Sequence, residues 1–336
     1  MRIRSALLVV AVPFLVAGCG EAARHTRVAA IDPQLAIGWK TDFTKATVPL
    51  DEFTAGGPGK DGIPALTHPR FAPAAATRYL RPREPVIELV VGRDARAYPL
   101  QILIWHEIVD DTVGGVPVAV TFCPLCDTAI AFDRRIDGRT LTFGTTGNLR
   151  NSDLVMYDRQ TDSWWQQFGG EGVVGRYAGT KLRRLPAGIV SWADFRRAHP
   201  DGLVLTRNTG YARNYGQNPY PGYDDVSSRP FFPVANAKDR RLPPKERVVF
   251  VERGGASIVI PFSTLARRRR LRVRVGGHTL DVRFEPGVAS ALDAGAVATG
   301  RRVGSARVLE NSRPVAFSEP FWFAVAAFRP NVKIIR

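Results

Sequence analysis

The distribution of apolar and polar residues along the chain is mainly that of β-strands. From residue 86 onward, short runs of alternating or continuous apolar residues are separated by turns rich in Gly, Asn and Asp, a pattern typical of strands joined by hairpins. The runs predict strands at 86–91, 95–98, 108–113, 117–122, 129–134, 140–143, 154–158 and 163–168. Short helices are predicted at 100–107 and 192–199, the second capped by Ser191 and ended by Pro200. We therefore predict an α+β fold that is mostly β.

Two loops bear on function. Residues 208–233 are rich in Asn, Tyr, Gly and Pro, and a loop of this length is often functional. The Gly-rich segment 56–62 contains Lys60, as a phosphate-binding loop would. It lacks the Walker spacing, the following Ser or Thr, and an apolar strand before it. We therefore expect no nucleotide cofactor.

The chain matches itself at a constant offset of 162 residues, without a gap. The identical pairs are mainly turn glycines, prolines at strand ends and apolar positions, which are the residues that fix a backbone path. They include Val86/Val248, Gly92/Gly254, Pro99/Pro261, Gly114/Gly276, Gly115/Gly277, Val120/Val282, Phe122/Phe284 and Pro124/Pro286. We predict an internally duplicated β-rich unit at about 62–134 and 223–296, with a β-rich insertion at about 135–222. Residues 39–336 would form a single globular body.

The first residues have the composition of an export signal. A basic stretch at 1–4 precedes an apolar run at 6–16 that is too short to cross a bilayer comfortably. The next residues, ending in Gly18-Cys19, resemble a bacterial lipobox, in which the thiol accepts a diacylglycerol. The alternative is an ordinary secretory signal followed by a chance cysteine. We expect a lipoprotein signal peptide at 1–18, contact with membrane lipid through Cys19, and a flexible tether at 19–38.

This N-terminus predicts a lipid-anchored, extracytoplasmic protein of the bacterial cell envelope. The 336 residues carry a net charge of +16, for which three interpretations compete: attraction to an anionic envelope surface, binding of nucleic acid, or a compositional bias without a partner. No nucleic-acid motif and no interleaving of aromatic and basic residues accompany the charge. We expect no nucleic-acid partner, and we interpret the arginine run 267–270 as a solvated face.

Candidate chemistry is concentrated in Cys123-Pro-Leu-Cys126, which follows the predicted strand 117–122. Two cysteines at this spacing resemble a zinc knuckle, and His106 is the natural third ligand. Two thiolates and an imidazole would also suit copper. The set His106, Cys123 and Cys126 thus predicts a zinc or copper site with an open position.

Two alternatives to a metal stay open at this point. A thiol–disulfide oxidoreductase would use the cysteines directly, but a strand rather than a helix is predicted after them, so the helix dipole that lowers a thiol pKa is missing. A non-catalytic binding or scaffold protein would carry only a structural disulfide or two buried thiols. The offset of 162 favours the metal site, because it replaces His106, Cys123 and Cys126 with Arg268, Glu285 and Val288.

The segment from 150 to 159 is unusually polar for its apolar surroundings, and it is the predicted wall of a pocket. Turn chemistry and structural ion pairs are an equal alternative. The pocket candidates are Asp127, Arg150, Asn151, Asp153, Tyr157, Asp158 and Arg159, with Tyr215 and Tyr220 as further possibilities.

Several motifs together resemble a large prokaryotic family of unknown function. They are Lys60-Asp-Gly-Ile-Pro-Ala, Ala97-Tyr-Pro-Leu, Trp105-His-Glu-Ile-Val-Asp-Asp-Thr-Val-Gly-Gly, Phe122-Cys-Pro-Leu-Cys, Asn151-Ser-Asp-Leu-Val-Met-Tyr-Asp-Arg and Trp164-Trp-Gln-Gln. The resemblance covers about 39–328 and departs at Asp127, where the family often has a small or polar residue. It implies that His106, Cys123 and Cys126 matter, but it implies no reaction, and none is predicted here.

Overall fold

The computed structural model describes residues 30–336. Strands make up 39% of the structure and helices 12%, so the prediction of a mostly β protein is confirmed. Five small sheets are arranged in a propeller-like ring. The lipoprotein signal peptide predicted at 1–18, with Cys19 beyond it, lies outside the described residues.

The strands of the described chain are short. They are β1 (Phe53–Ala55), β2 (Phe71–Pro73), β3 (Pro85–Val91), β4 (Asp94–Pro99), β5 (Ile108–Val113), β6 (Val116–Cys123), β7 (Thr128–Asp133), β8 (Arg135–Ile136), β9 (Arg139–Thr140), β10 (Phe143–Arg150), β11 (Asp153–Asp158), β12 (Trp164–Gln166), β13 (Glu171–Val174), β14 (Arg183–Leu185), β15 (Ala187–Ser191), β16 (Leu203–Leu205), β17 (Val248–Arg253), β18 (Ala256–Pro261), β19 (Arg270–Val275), β20 (His278–Glu285), β21 (Ser305–Glu310), β22 (Arg313–Pro314) and β23 (Lys333–Ile334).

The α-helices have one or two turns each. They are α1 (Pro33–Ala36), α2 (Leu100–Leu103), α3 (Trp192–Ala198), α4 (Phe262–Arg268) and α5 (Trp322–Phe328). Helix α3 begins where the sequence predicts, because the Ser191 side chain accepts a hydrogen bond from the Asp194 amide. None of the helices in residues 30–336 has the length and apolar character needed to span a membrane.

The order of strands in each sheet mixes neighbours and distant segments of the chain. Sheet I has the order β1-β10-β11-β12-β13, sheet II β14-β7-β6-β5, sheet III β15-β3-β4-β16-β2, sheet IV β17-β18-β23 and sheet V β19-β20-β21-β22. Strands β8 and β9 form a separate two-stranded hairpin. Sheets I and II are the two that supply the site described below.

Hairpins are the local units of this fold, and glycines form their turns. Gly114 and Gly115, between β5 and β6, both have positive φ, which costs glycine little. A Cβ on Gly114 would clash with the backbone oxygen of Val91. The hairpin therefore requires glycine at this position for space as well as for conformation.

Two hairpins of the second half have the register of two in the first half, 162 positions later. Val86 pairs with Pro99 between β3 and β4, as Val248 pairs with Pro261 between β17 and β18. The β5–β6 and β19–β20 hairpins correspond in the same way, with Ile108 opposite Thr121 and Arg270 opposite Arg283. The correspondence ends after these hairpins, because β7 pairs with β6 whereas β20 pairs with β21, much farther along the chain.

Two local predictions are corrected by the structure. The helix predicted at 100–107 ends at Leu103, and Glu107 has a φ of 58°, which no α-helix accommodates. The hairpin predicted from 129–134 and 140–143 is also different. Strand β7 pairs with β6, and the turn residues 137–138 close the small β8–β9 hairpin instead.

The hydrophobic core of the described chain is divided into four clusters, and the strands of sheet V belong to a different cluster from the main one. Its largest cluster includes both Cys123 and Cys126 together with apolar residues from 65 to 332. Most of the predicted tether at 19–38 lies outside the described residues. At its end, Leu35 of α1 is buried and belongs to a cluster with Phe53 and Trp164.

The predicted functional loop at 208–233 is part of a longer irregular segment. Residues 206–247 contain no named helix or strand. Part of this segment packs on the main core through Tyr215, Tyr220 and Tyr223. It therefore covers the core rather than projecting from it.

Candidate functional site

The loop between β6 and β7 places the two cysteines inside the protein. Cys123 is the last residue of β6 and lies opposite Thr128, the first residue of β7. Asp127 closes the turn with a φ of 56°. Cys123 is 1% exposed and Cys126 is fully buried. Both are free thiols, and they are held at the end of a hairpin.

Distant segments fix this loop. The backbone oxygen of Leu125 accepts a hydrogen bond from the Tyr223 hydroxyl at 2.8 Å. The backbone oxygen of Cys126 accepts one from the Phe321 amide at 2.9 Å. Because these carbonyl groups are satisfied by fixed donors, the loop is preorganised rather than mobile in solvent.

Asp153 is the carboxylate that meets the thiols. It is the first residue of β11 and follows the Asn151-Ser152 turn, in which both residues have positive φ. The Sγ of Cys126 donates to Oδ1 of Asp153 at 3.0 Å. Ligand atoms of Cys123, Cys126 and Asp153 all lie within 4.8 Å of one another. Two sulfur atoms and one oxygen therefore converge in a volume that one metal ion could occupy.

The second oxygen of Asp153 is held by protein donors. Oδ2 accepts hydrogen bonds from Gln166 Nε2 at 2.5 Å and from the Phe168 amide at 2.9 Å. Gln166 is in turn fixed through its Oε1, which accepts from Arg150 at 3.3 Å. This division leaves Oδ1 directed at the thiols while Oδ2 sets the orientation of the carboxylate.

Burial controls the protonation of the cluster. It raises the pKa of both thiols, and the negative charge of Asp153 adds to the effect. Burial also raises the pKa of Asp153 to about 6, against hydrogen bonds from Cys126 and Phe168 that lower it. The protein alone therefore favours neutral thiols. A bound cation would reverse this preference, because metal-bound thiols are deprotonated.

Glu107 is a second acidic residue near the thiols, and the sequence analysis does not select it as a site residue. It is 7% exposed, and its carboxyl has no hydrogen-bond partner among residues 30–336. Burial, and then the charge of Asp153, raises the pKa of Glu107 to about 8. Besides burial, the charge of Glu107 contributes to the raised pKa of Cys123, and the charges of Glu107 and Cys123 contribute to the raised pKa of Tyr220. The carboxyl therefore lies near the thiols without being committed to another group.

A sequence signal for Glu107 existed. The residue 162 positions later is Arg269, which also has a positive φ, 64° against 58°. Arg269 is exposed, whereas Glu107 is buried. The sequence shows the exchange of an acid for an arginine at the offset of 162, but not that Glu107 is buried.

His106 is buried, but it is not part of the group formed by Cys123, Cys126 and Asp153. Its Nδ1 is 2.7 Å from the Pro64 oxygen and its Nε2 is 2.6 Å from the Tyr215 hydroxyl. Burial lowers the pKa of His106 to about 4, so the ring is neutral at physiological pH. Its role as a metal ligand stays a prediction.

Two of the predicted pocket residues support neighbouring segments. Asp127 forms an ion pair of 2.9 Å with Arg247, and burial raises the pKa of Asp127 to about 7 in spite of that arginine. Asn151 accepts a hydrogen bond from the Ala235 amide through Oδ1, at 2.7 Å. These two side chains tie the cysteine loop and the β10–β11 turn to the second half of the chain.

The remaining pocket candidates contact groups other than the cysteines. Arg150 binds Glu52 and reaches Gln166, so it supports Asp153 indirectly. Tyr157 and Arg159 both bind Asp61. The last candidate of this segment, Asp158, accepts hydrogen bonds from the Thr161 hydroxyl and from the Trp165 indole. Of the polar segment 150–159, Asp153 alone joins the cysteines in the group of ligand atoms.

Comparisons with known proteins give a family but no activity. The family described as "Protein of unknown function (DUF3179)" matches residues 60–332. No curated protein and no solved structure matches the chain.

Proposed function

The chain belongs to the DUF3179 family of proteins of unknown function, and we propose that it binds one transition-metal ion through Cys123, Cys126 and Asp153. The observation that carries this proposal is the convergence of their ligand atoms within 4.8 Å. Zinc and copper are the candidates, because thiolates are soft ligands that both ions accept. The proposal is for metal binding, with no reaction assigned.

The chemistry of the donors supports a metal more than it supports free thiols. Burial raises the pKa of both thiols, so they stay protonated without an ion, whereas Asp153, with a pKa of about 6, is mostly ionised at neutral pH. No ion pair within residues 30–336 balances that negative charge. A divalent cation supplies that balance when it displaces the protons. The Asp153 oxygen that now accepts from Cys126 would then face the ion.

The surroundings of Asp153 also have the character of a metal site. Ligating carboxylates in proteins are themselves hydrogen-bonded, and those outer contacts set the orientation of the ligand. Gln166 and the Phe168 amide fulfil this role for Oδ2. Glu107, which lies nearby without a hydrogen-bond partner among residues 30–336, would be available for a further position around the ion. His106 would reach an ion only if Nε2 released Tyr215.

The geometry gives less support to a thiol–disulfide oxidoreductase. Both thiols are buried and have raised pKa values, whereas a reactive cysteine is a partly exposed thiolate. The residues after Cys126 form a left-handed turn and strand β7 rather than a helix. A thiolate-stabilising helix dipole is therefore missing at the position where it would be needed.

We infer a location outside the cytoplasm, on a lipid anchor, from residues beyond the described range. The support is the basic start, the apolar run at 6–16 and the lipobox-like sequence that ends in Cys19. Cells expressing the full chain with radiolabelled palmitate should yield a labelled, membrane-associated protein. Cys19→Ser should abolish the label; a fully labelled Cys19→Ser protein would refute lipidation at this residue.

We also infer that the two halves arose from one β-rich unit. The support is the shared register of two hairpins in each half and the positive φ shared by Glu107 and Arg269. In this proposal the first half kept or acquired the thiols and the second half supplies support, such as the Phe321 amide on Cys126. A solved structure in which the halves do not superpose would contradict it.

Titration of Zn²⁺ into the metal-free protein, against a competing chelator, tests the proposed ligands. Wild type should bind about one equivalent, and Asp153→Asn should weaken binding by more than about 100-fold, beyond the loss typical of an outer contact. Asp158→Asn is the matched control, because Asp158 is equally buried at the other end of β11. Equal affinities of Asp153→Asn and wild type would remove Asp153 from the ligand set.

A further inference from the structure

A wide groove lies on the face formed by the irregular segment 227–244 and the start of α5. Its volume is about 860 Å³, and Phe232, Trp322 and Phe323 contribute aromatic side chains to its lining. This volume falls in the range of small-molecule sites. Cys123, Cys126 and Asp153 are not among its lining residues, so the groove is separate from the proposed metal site.

Three cationic side chains in the lining, Arg229, Lys238 and Arg240, form no ion pair within residues 30–336. Arg240 donates to the backbone oxygens of Ala237 and Asp239. Arg229 and Lys238 are exposed, and neither forms an ion pair or a side-chain hydrogen bond with any residue in the described range. Arg241, by contrast, is paired with Asp239 at 2.7 Å and stacks on the Trp322 ring. Arg229 and Lys238 therefore retain their full charge for an anionic ligand.

Apolar surface is exposed beside these charges. Phe232, Val234 and Leu242 line the groove and are only partly buried, whereas Trp322 and Phe323 are 1% and 5% exposed. Phe232 and the neighbouring Val234 pack against the main core, so the apolar lining is continuous with a fixed interior. Charge and apolar surface side by side suit a ligand that has both characters.

The groove is preformed, because its wall is hydrogen-bonded to regular structure. Asn151, in the β10–β11 turn, accepts from the Ala235 amide at 2.7 Å. Asn236 donates to the Ala326 oxygen of α5 at 2.9 Å. Lys245 donates to the Ser228 hydroxyl at 2.8 Å. A ligand entering the groove would not have to order the wall first.

We propose that this groove binds a single-chain anionic amphiphile, such as an alkyl phosphate, as an individual molecule. The headgroup lies between Arg229 and Lys238, and the alkyl chain covers Phe232, Val234 and Leu242. Charge complementarity selects the headgroup and the apolar lining selects the chain. The proposal is independent of the metal site.

Calorimetric titration of the full chain with decyl phosphate, below its critical micelle concentration, tests this assignment. Wild type should bind about one molecule, and inorganic phosphate and octyl glucoside, which each lack one half of the ligand, should bind at least about tenfold more weakly. Equal binding of octyl glucoside would overturn the role of charge. Binding to anionic phospholipid vesicles without binding of monomeric decyl phosphate would also overturn the proposal, in favour of a membrane surface.

Charge reversal locates the site. Arg229→Glu with Lys238→Glu should weaken decyl phosphate binding by at least about tenfold, because two charge-assisted contacts are lost. Arg267→Glu with Arg268→Glu, on exposed arginines of α4, changes the net charge equally and should change the affinity by less than about twofold. Equal losses in the two variants would refute the groove. One equivalent of Zn²⁺ should leave decyl phosphate binding unchanged, and a loss there would contradict the independence of the groove from the metal site.

Discussion

Asp153 differs from its polar neighbours because its carboxylate is directed at two buried thiols. Successive residues of a strand point to opposite faces, so Asp153 and Asp158, five positions apart in β11, face in opposite directions. Asp158 is used by Thr161 and Trp165. Oδ1 of Asp153 is directed at the cysteines, and the hydrogen bonds to Oδ2 fix the orientation of the carboxylate.

Removing the contact that orients Asp153 should weaken metal binding without removing a ligand. Gln166→Leu deletes the donor to Oδ2, and we expect the Zn²⁺ affinity to fall about 10- to 100-fold, as for other outer contacts of metal ligands. Competition titration with a chelator measures this effect.

Gln101→Leu is the matched control for that variant. Gln101 is also buried and also donates to a carboxylate, that of Glu84, at 2.5 Å. It should lower the stability of the fold comparably and leave the Zn²⁺ affinity unchanged. If both leucine variants weakened zinc equally, the effect would be general destabilisation and the assigned role of Gln166 would be wrong.

The sequence indicates the thiols more readily than the acids around them. Cys123 and Cys126 are recognisable from spacing alone, and Asp153 stands among seven pocket candidates. Spacing does not reveal which carboxylate reaches the sulfurs, because that depends on how sheets I and II meet. Glu107 was overlooked for the same reason: its neighbours Asp153 and Tyr220 come from distant segments of the chain.

At the scale of elements, the β6–β7 hairpin holds the two thiols in a fixed position. The turn at Asp127 and the start of β7 at Thr128 follow Cys126 directly, so the thiols lie at the end of a rigid ladder. Such hairpins are predictable from alternation and turn residues. The pairing of β7 with β14 cannot be predicted in this way, because β14 begins some fifty residues later and local patterns do not encode long-range pairing.

The contact between β7 and β14 has a pH dependence that can be measured. Arg135, and then Arg183 of β14, holds the pKa of Asp133 well below its ordinary value of 3.8. A lowered pKa in the folded state stabilises the protein above about pH 4, and that stability is lost as the pH falls below this value. Asp133→Asn should reduce the free energy of unfolding at pH 7 by about 1 kcal/mol, since the arginines are largely exposed.

Denaturant unfolding between pH 3 and pH 7 checks this expectation. The difference between wild type and Asp133→Asn should shrink as the solution is acidified, because below about pH 4 the Asp133 carboxyl is protonated in the unfolded chain but still ionised in the folded protein. Asp201→Asn, on an exposed residue without such partners in the described range, should follow wild type throughout. A constant difference across this pH interval would show that Asp133 acts through packing rather than charge.

At the scale of the whole molecule, the ring of sheets brings together groups that are far apart in sequence. The cluster draws on sheet II for the thiols, on sheet I for Asp153, and on the irregular segment and the C-terminal part for Tyr223 and Phe321. The offset of 162 predicted the matching hairpins, but the ring itself was not predicted. Local periodicity defines strands, whereas the ring follows from how complete sheets pack.

The proposed location outside the cytoplasm adds a condition to the metal hypothesis, because the two thiols must stay reduced there. Outside the cytoplasm a pair of nearby cysteines is normally oxidised. Cys123 and Cys126 would stay reduced there only if an ion held them or if their burial excluded oxidants. The oxidation state of the two thiols therefore discriminates between a metal site and a structural disulfide.

The most direct test is the metal content of the mature protein purified without added metal, together with its intact mass under non-reducing conditions. We predict about one zinc or copper ion per chain, with both thiols reduced, and loss of the ion in Cys123→Ser. A folded wild-type protein that contains no metal and carries a Cys123–Cys126 disulfide would contradict the proposed function.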